Sequence, residues 1–183
     1  MKFEDLGLLE QESIARGIPI VGAKKGKWLY DHIQIIQAQK ILELGSANGY
    51  SGCILGSTGA ELVTIELDPI IAREAVKNLA FYHIKARVLA GDAVAEVEKL
   101  ARDQKNHHTF DFIFIDFAKK KYLSVLENCI SLLTVGGYIV ADNILFAGCA
   151  NYKKRVQEHS QLQTELILFG LDGFAVSQKI RSH

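Results

Sequence analysis

Ile41-Leu42-Glu43-Leu44-Gly45-Ser46-Ala47-Asn48-Gly49-Tyr50-Ser51 is an apolar, β-type run that breaks into a glycine turn and resumes as a helix. Three later stretches repeat the pattern of an apolar run ending in an acid or amide: Thr64-Ile65-Glu66-Leu67-Asp68, Phe114-Ile115-Asp116-Phe117-Ala118-Lys119 and Ile139-Val140-Ala141-Asp142-Asn143. In an open α/β sheet, ligands sit just beyond the carboxyl ends of parallel strands. Polar residues that recur only at those ends are therefore expected to converge on one crevice, and the chain reads as an enzyme built around it.

Around that stretch, β-branched runs near 40–45, 61–66, 86–90, 111–116 and 137–142 alternate with helical patterns near 50–57, 69–81, 93–104 and 119–133. That alternation predicts right-handed βαβ units and a mostly parallel sheet. Ahead of it, residues 3–16 read as helix, Gly17-Ile18-Pro19-Ile20 breaks the pattern, and an amphipathic helix runs from Gly26 to Gln37,. After a helix near 152–159, runs 165–169 and 174–180 are joined by Gly170-Leu171-Asp172-Gly173, which suits an antiparallel hairpin at the sheet edge,. We find no repeat or linker, so the reading is one domain over 1–183, with a helical cover over 1–37 and a catalytic core over 38–183.

The 183 residues suffice for one well-buried core,. The 21 basic residues cancel the 21 acidic ones, so no net field favours nucleic acid or an anionic membrane, and a small-molecule partner is the default,. Cys53, Cys129 and Cys149 are odd in number and widely spaced, which argues for reduced thiols in a cytoplasmic protein and against a zinc or redox pair,. The acidic start Met1-Lys2-Phe3-Glu4-Asp5 does not read as a signal peptide, and no apolar run has membrane-spanning length,.

The glycine turn narrows the ligand. Glycine permits positive φ and close approach of a bound group, a property shared by several cofactor loops. A dinucleotide fingerprint requires a second glycine where Ala47 stands, which argues against an NAD-type oxidoreductase,. Glu66, closing the second strand, is suited to accept hydrogen bonds from both hydroxyls of a ribose. A plain tight turn with a solvated glutamate is the competing interpretation.

With Val21-Gly22-Ala23-Lys24-Lys25-Gly26 and the run L-E-L-G-x-x-x-G-Y-S, the chain resembles the class I S-adenosylmethionine (SAM) dependent methyltransferases. More narrowly, it is similar to the cation-dependent O-methyltransferases of catechol and caffeoyl-coenzyme A, from about Val21 to Lys179. The resemblance implies a Rossmann-like three-layer α/β sandwich. Its seven-stranded sheet would be mostly parallel, in order 3-2-1-4-5-7-6 with the last strand antiparallel, preceded by amino-terminal helices. It implies SAM as methyl donor and S-adenosylhomocysteine as product. Val21 would cover the methionine end; Glu43 would bind the ammonium, directly or through water; Gly45, Ser46 and Ser51 would hold the carboxylate side. Glu66 would take the ribose, Leu67 would pack on adenine, and the Gly91-Asp92-Ala93 turn would meet the adenine edge. Asp92 alone would equally suit a helix cap.

In the family's sheet the fourth and fifth strands are neighbours, so Asp116, Asp142 and Asn143 would meet. Oxygen donors without histidine or thiolate select a hard divalent cation, magnesium first, with manganese or calcium as alternatives. Asp116 would border both cofactor and metal. Lys119, three residues on in the family's D-x-x-K context, would be the general base that takes the acceptor's proton, its ammonium form disfavoured beside the cation. Lys120 and Lys121 read as exposed. The chain departs from the catechol enzymes at Ala175, where they carry a hydroxyl-binding glutamate, and at the gate positions Phe117 and Ala118. The implied acceptor is a small phenolic, catechol-like or otherwise hydroxylated molecule. A tRNA wobble hydroxyuridine is the alternative, with Lys24-Lys25-Lys27, Lys119-Lys120-Lys121 and Lys153-Lys154-Arg155 as a phosphate rim. A SAM-binding module without catalysis is disfavoured by Lys119 and the three metal ligands. Relatives in this family are often homodimers.

Overall fold

The structure, a computed structural model, describes residues 1–182. The chain divides into two compact units, Met1–Asp92 and Ala93–His183. The first contains α1 (Gly7–Ala15), α2 (Gly22–Ile36), β1 (Lys40–Leu44), α3 (Tyr50–Leu55), β2 (Glu61–Glu66), α4 (Pro69–Phe81) and β3 (Ala86–Ala90). The second contains α5 (Ala93–Arg102), β4 (Phe110–Ile115), α6 (Tyr122–Leu132), β5 (Leu133–Ala141), α7 (Ala150–Glu158), β6 (Leu162–Phe169) and β7 (Asp172–Lys179). The seven strands follow the order β3-β2-β1-β4-β5-β7-β6. β7 runs antiparallel to both β5 and β6, and the pairs β1/β2, β2/β3 and β4/β5 are parallel. This is the Rossmann-like methyltransferase arrangement that the resemblance implied.

Local chemistry accounts for the start of α4 and for the buried face of α6. Asp68 caps α4, its Oδ1 accepting from the N–H groups of Ile70 (2.7 Å) and Ile71 (3.2 Å), with Pro69 at the first helical position,. Ala72, Ala75 and Leu79 then bury one face of the helix. In α6 the buried residues Tyr122, Val125, Leu126, Cys129 and Ile130 follow the same i, i+3, i+4 spacing,.

Several boundaries depart from the sequence reading, among them those of α2, β5 and the last hairpin. α2 starts at Gly22 rather than Gly26, so the Val21–Gly26 segment is mostly helix. Gly26 lies inside it because a Cβ there would come within 2.9 Å of Ile54 Cδ1 and 3.3 Å of Phe3 Cε2. β5 starts at Leu133 rather than near 137, and Gly136-Gly137 lie within a register shift against β4, where Phe110 pairs with Leu133 but Phe112 with Tyr138. The last hairpin turns on Gly170 (φ 73°) and Leu171 alone, so Asp172 and Gly173 belong to β7, opposite Phe169 and Leu168,. Gly173 avoids a clash there: a Cβ would lie 2.5 Å from the Ile167 carbonyl oxygen.

Candidate active site

In the first unit the glycine turn is held by backbone and side chains together. Gly45, Ala47 and Gly49 all have positive φ (97°, 43° and 92°). The N–H groups of Gly45 and Ser46 both donate to the Ile65 carbonyl, at 2.9 and 3.2 Å, which ties the turn to the end of β2. Gly49 also permits packing on α4, since a Cβ would stand 3.2 Å from Ala75 Cα. Glu66 organises the rim: Oε2 accepts from Ala47 N at 2.9 Å and Oε1 from Asp68 N at 3.1 Å. A carboxylate has about four lone-pair directions, so two stay available to a diol after these bonds. Gly91 N donates to the Glu66 carbonyl at 2.8 Å, bringing the Gly91-Asp92 turn beside it. Leu67 is 68% exposed, an apolar face next to that acid. These features fit an adenosine moiety.

Glu43 is fully buried, and its Oε2 accepts the Thr64 hydroxyl at 2.6 Å. Gly52 leaves room for it, because a Cβ there would be 3.1 Å from Glu43 Oε2. Burial first, then the Glu43 charge, raises the Cys53 thiol to about 12,. Ser46, Ser51 and Val21 are also buried. Sequence reasoning missed the polar pins of this turn. Asn48 Nδ2 donates to Ser13 Oγ at 2.7 Å, Ser13 Oγ donates to the Leu9 carbonyl at 2.6 Å, and Asn78 Nδ2 donates to the Asn48 carbonyl at 2.8 Å. The available signal was Ser13 and Asn78 standing as polar residues on otherwise apolar helix faces.

In the second unit β4 and β5 end in register, Ile115 opposite Ala141, so Asp116 and Asp142 follow on adjacent strands. Asp142 N donates to the Ile115 carbonyl at 2.9 Å. Lys119 Nζ donates to Asp116 Oδ1 at 2.6 Å in a partly buried ion pair. Asp142 is 2% exposed and its Oδ1 accepts from Asn143 N at 2.6 Å. Buried Cys149 reports the convergence: desolvation raises its thiol, Lys119 lowers it, and Asp172, Asp142 and Asp116 raise it further. Beneath Lys119, the Tyr122 ring lies 5.8 Å from Nζ and stacks on Phe117 at 5.4 Å. Burial, then the charge of Asp116, drives the Tyr122 phenol far above its usual range, so it stays protonated.

Among the described residues no three His, Cys, Asp or Glu side chains gather into a metal-binding group. The candidate set of two aspartates needs the Asn143 amide oxygen as its third donor, and this all-oxygen set suits magnesium. His107 and His108 contribute nothing to it: His107 Nε2 contacts the Ala101 carbonyl at 2.7 Å, and His108 Nδ1 contacts the Leu133 carbonyl at 3.1 Å and Lys179 Nζ at 3.0 Å. Ala175, fully buried within β7 between Ala141 and Leu166, has no face open to a ligand. No helix among the described residues is long and apolar enough to cross a membrane.

The model of a family described as O-methyltransferase matches residues 10–170. The chain belongs to the O-methyltransferase family. It is 33% identical over 138 residues to caffeoyl-CoA O-methyltransferase 5 of Nicotiana tabacum, covering 69% of this chain and 55% of that protein. It is 33% identical over 155 residues to the catechol O-methyltransferase of Niastella koreensis, covering 80% of this chain and 69% of that one. The chain spans about half the length of the plant relatives it matches. Among solved structures, the O-methyltransferase TomG of Streptomyces achromogenes, crystallised with SAM, superposes with a TM-score of 0.86 at 24% identity, over 99% of this chain and 92% of that one. At that identity the likeness concerns the fold.

Proposed function

We propose that this chain transfers the methyl group of SAM to a hydroxyl of a small phenolic or catechol-like acceptor, with a divalent cation, magnesium first, at the acceptor. The observation that carries the proposal is the 2.6 Å pairing of Lys119 with Asp116 at the end of β4, alongside Asp142 and Asn143 at the end of β5, in a chain of this family. When bound, SAM supplies the methyl group and the cation polarises the acceptor oxygens.

In this reading Glu66 offers its two remaining acceptor directions to the ribose hydroxyls, Leu67 lies against adenine, and Asp92 and Ala93 meet its edge. Gly45, Ser46, Ser51 and Val21 enclose the methionine end, where Glu43 counters the ammonium directly or through water. Asp116, Asp142 and Asn143 would hold the cation. Lys119, paired as an ammonium with Asp116, would first lose its own proton to solvent once a cation engages that carboxylate, and the neutral amine would then take the proton of the acceptor hydroxyl and leave the oxygen nucleophilic. No covalent bond to the protein is required. Phe146, three residues past Asn143 and 53% exposed, offers an apolar face to an aromatic acceptor. The buried Ala175 supports an acceptor set that does not depend on the glutamate of the catechol enzymes. The family match takes in residues of both units, which supports treating 1–183 as one catalytic domain. The three buried free thiols fit a reducing, cytoplasmic setting.

Calorimetric titration with SAM, then with a catechol or caffeoyl-type acceptor with and without magnesium, tests this reading. SAM binding followed by magnesium-dependent acceptor binding supports it. SAM binding with no acceptor binding under either condition turns the search toward RNA acceptors. Absence of SAM binding refutes it.

A further inference from the structure

We propose that Asp172, the first residue of β7, is a positioning residue for the cation site, acting through Asn143; the inference rests on the cation reading above. Asn143 Nδ2 donates to Asp172 Oδ2 at 2.6 Å. A carboxylate offers acceptors only, so the amide NH2 must face Asp172, and a flipped amide would set oxygen against oxygen. The amide oxygen and nitrogen diverge from the same carbon, so Oδ1 is turned away from Asp172 and its lone pairs are presented to a cation. The Asn143 backbone is already fixed. It adopts φ 55°, a conformation that asparagine tolerates better than most residues,. Its N–H is held by Asp142 Oδ1, its carbonyl accepts from Phe146 N at 3.0 Å, and Ile144 N donates to the Gly173 carbonyl at 3.1 Å. The remaining freedom is rotation of the side chain, and Asp172 removes it. The two-residue turn at Gly170-Leu171 makes this reach possible by drawing Asp172 into the strand.

Outer-sphere partners that orient a metal ligand typically change affinity about 10- to 100-fold when removed. The test is titration of the purified chain with Mn2+ alone, followed by the paramagnetic signal of free Mn2+, with SAM affinity and a thermal melt as controls for folding. Asp172→Ala should weaken Mn2+ binding about 10- to 100-fold while leaving SAM affinity within about twofold of wild type. Asp172→Asn, whose amide oxygen can still accept from Asn143, should recover most of the loss. In an Asn143→Ala background, Asp172→Ala should cause no further loss. Equal Mn2+ affinity in wild type and Asp172→Ala would overturn the assignment. So would an Asn variant as weak as the Ala variant, because the effect would then be charge rather than orientation. A wild-type chain that binds no Mn2+ would overturn the cation reading and this inference with it.

Discussion

Glu66→Gln separates ribose recognition from the architecture of the glycine turn. The carboxylate already spends one acceptor direction on Ala47 N at 2.9 Å and one on Asp68 N at 3.1 Å. Glutamine keeps the length but has a single acceptor oxygen, and its amide nitrogen points a donor at whatever the second oxygen had served. At least one charge-assisted hydrogen bond is lost between turn and ribose, a cost of about 1.5–3 kcal/mol. At 1.4 kcal/mol per decade, SAM and S-adenosylhomocysteine should each bind about 10- to 150-fold more weakly. Isothermal titration of both ligands measures this, and a 2′-deoxyribose analogue sharpens it: the wild type should lose most of its advantage over Glu66→Gln for that analogue. Mn2+ affinity should not change, because the cation is assigned to other residues. SAM affinity within about threefold of wild type would refute the assignment of Glu66 to the ribose.

Asp142→Ala should abolish magnesium-dependent turnover while SAM affinity changes little, which parallel calorimetry and rate measurements would show. Lys119→Ala should keep SAM and Mn2+ binding but transfer methyl at least about 100-fold more slowly at neutral pH, recovering as alkaline pH ionises the acceptor; an unchanged neutral rate removes Lys119 from the base role. Burial raises Cys53 and Cys129 to about 12, so at pH 8 the native chain should react with less than one equivalent of a thiol reagent, and all three cysteines should react after denaturation. Because those folded values lie above the unfolded ones, their contribution to stability is complete below about pH 9 and should fall as pH rises from there to 12, visible as a declining melting temperature. Gly173→Ala should cost about 1–3 kcal/mol, since its Cβ would press on the Ile167 carbonyl; an unchanged melt would mean that the hairpin yields easily.

Much of the architecture was legible in the chain because its determinants are local. The apolar runs and helical spacings mark β1 to β5 and α3 to α6 within a few residues, and Asp68-Pro69 marks the start of α4 through a cap that involves only neighbours. The strand-end acids Glu66, Asp116 and Asp142 stood out for the same reason. The early start of α2 was hidden because Gly26 reads as a helix boundary until Ile54 and Phe3 are seen to occupy the space its Cβ would fill.

What the linear chain could not reveal depends on contacts between distant segments. Asn48 anchors the turn through Ser13 and Asn78, 35 and 30 positions away, and nothing in its local sequence requires those partners. Asp172, expected in a loop, lies 29 positions from Asn143; it becomes a partner of the candidate ligand only because the hairpin closes on two residues and sets its register. Residue type and period determine which segments become strands and where acids end them. Which of those acids meet an amide, a lysine or a backbone N–H is decided by tertiary packing, because a hydrogen bond of under 3 Å requires two segments to arrive in one register, and no local preference specifies that.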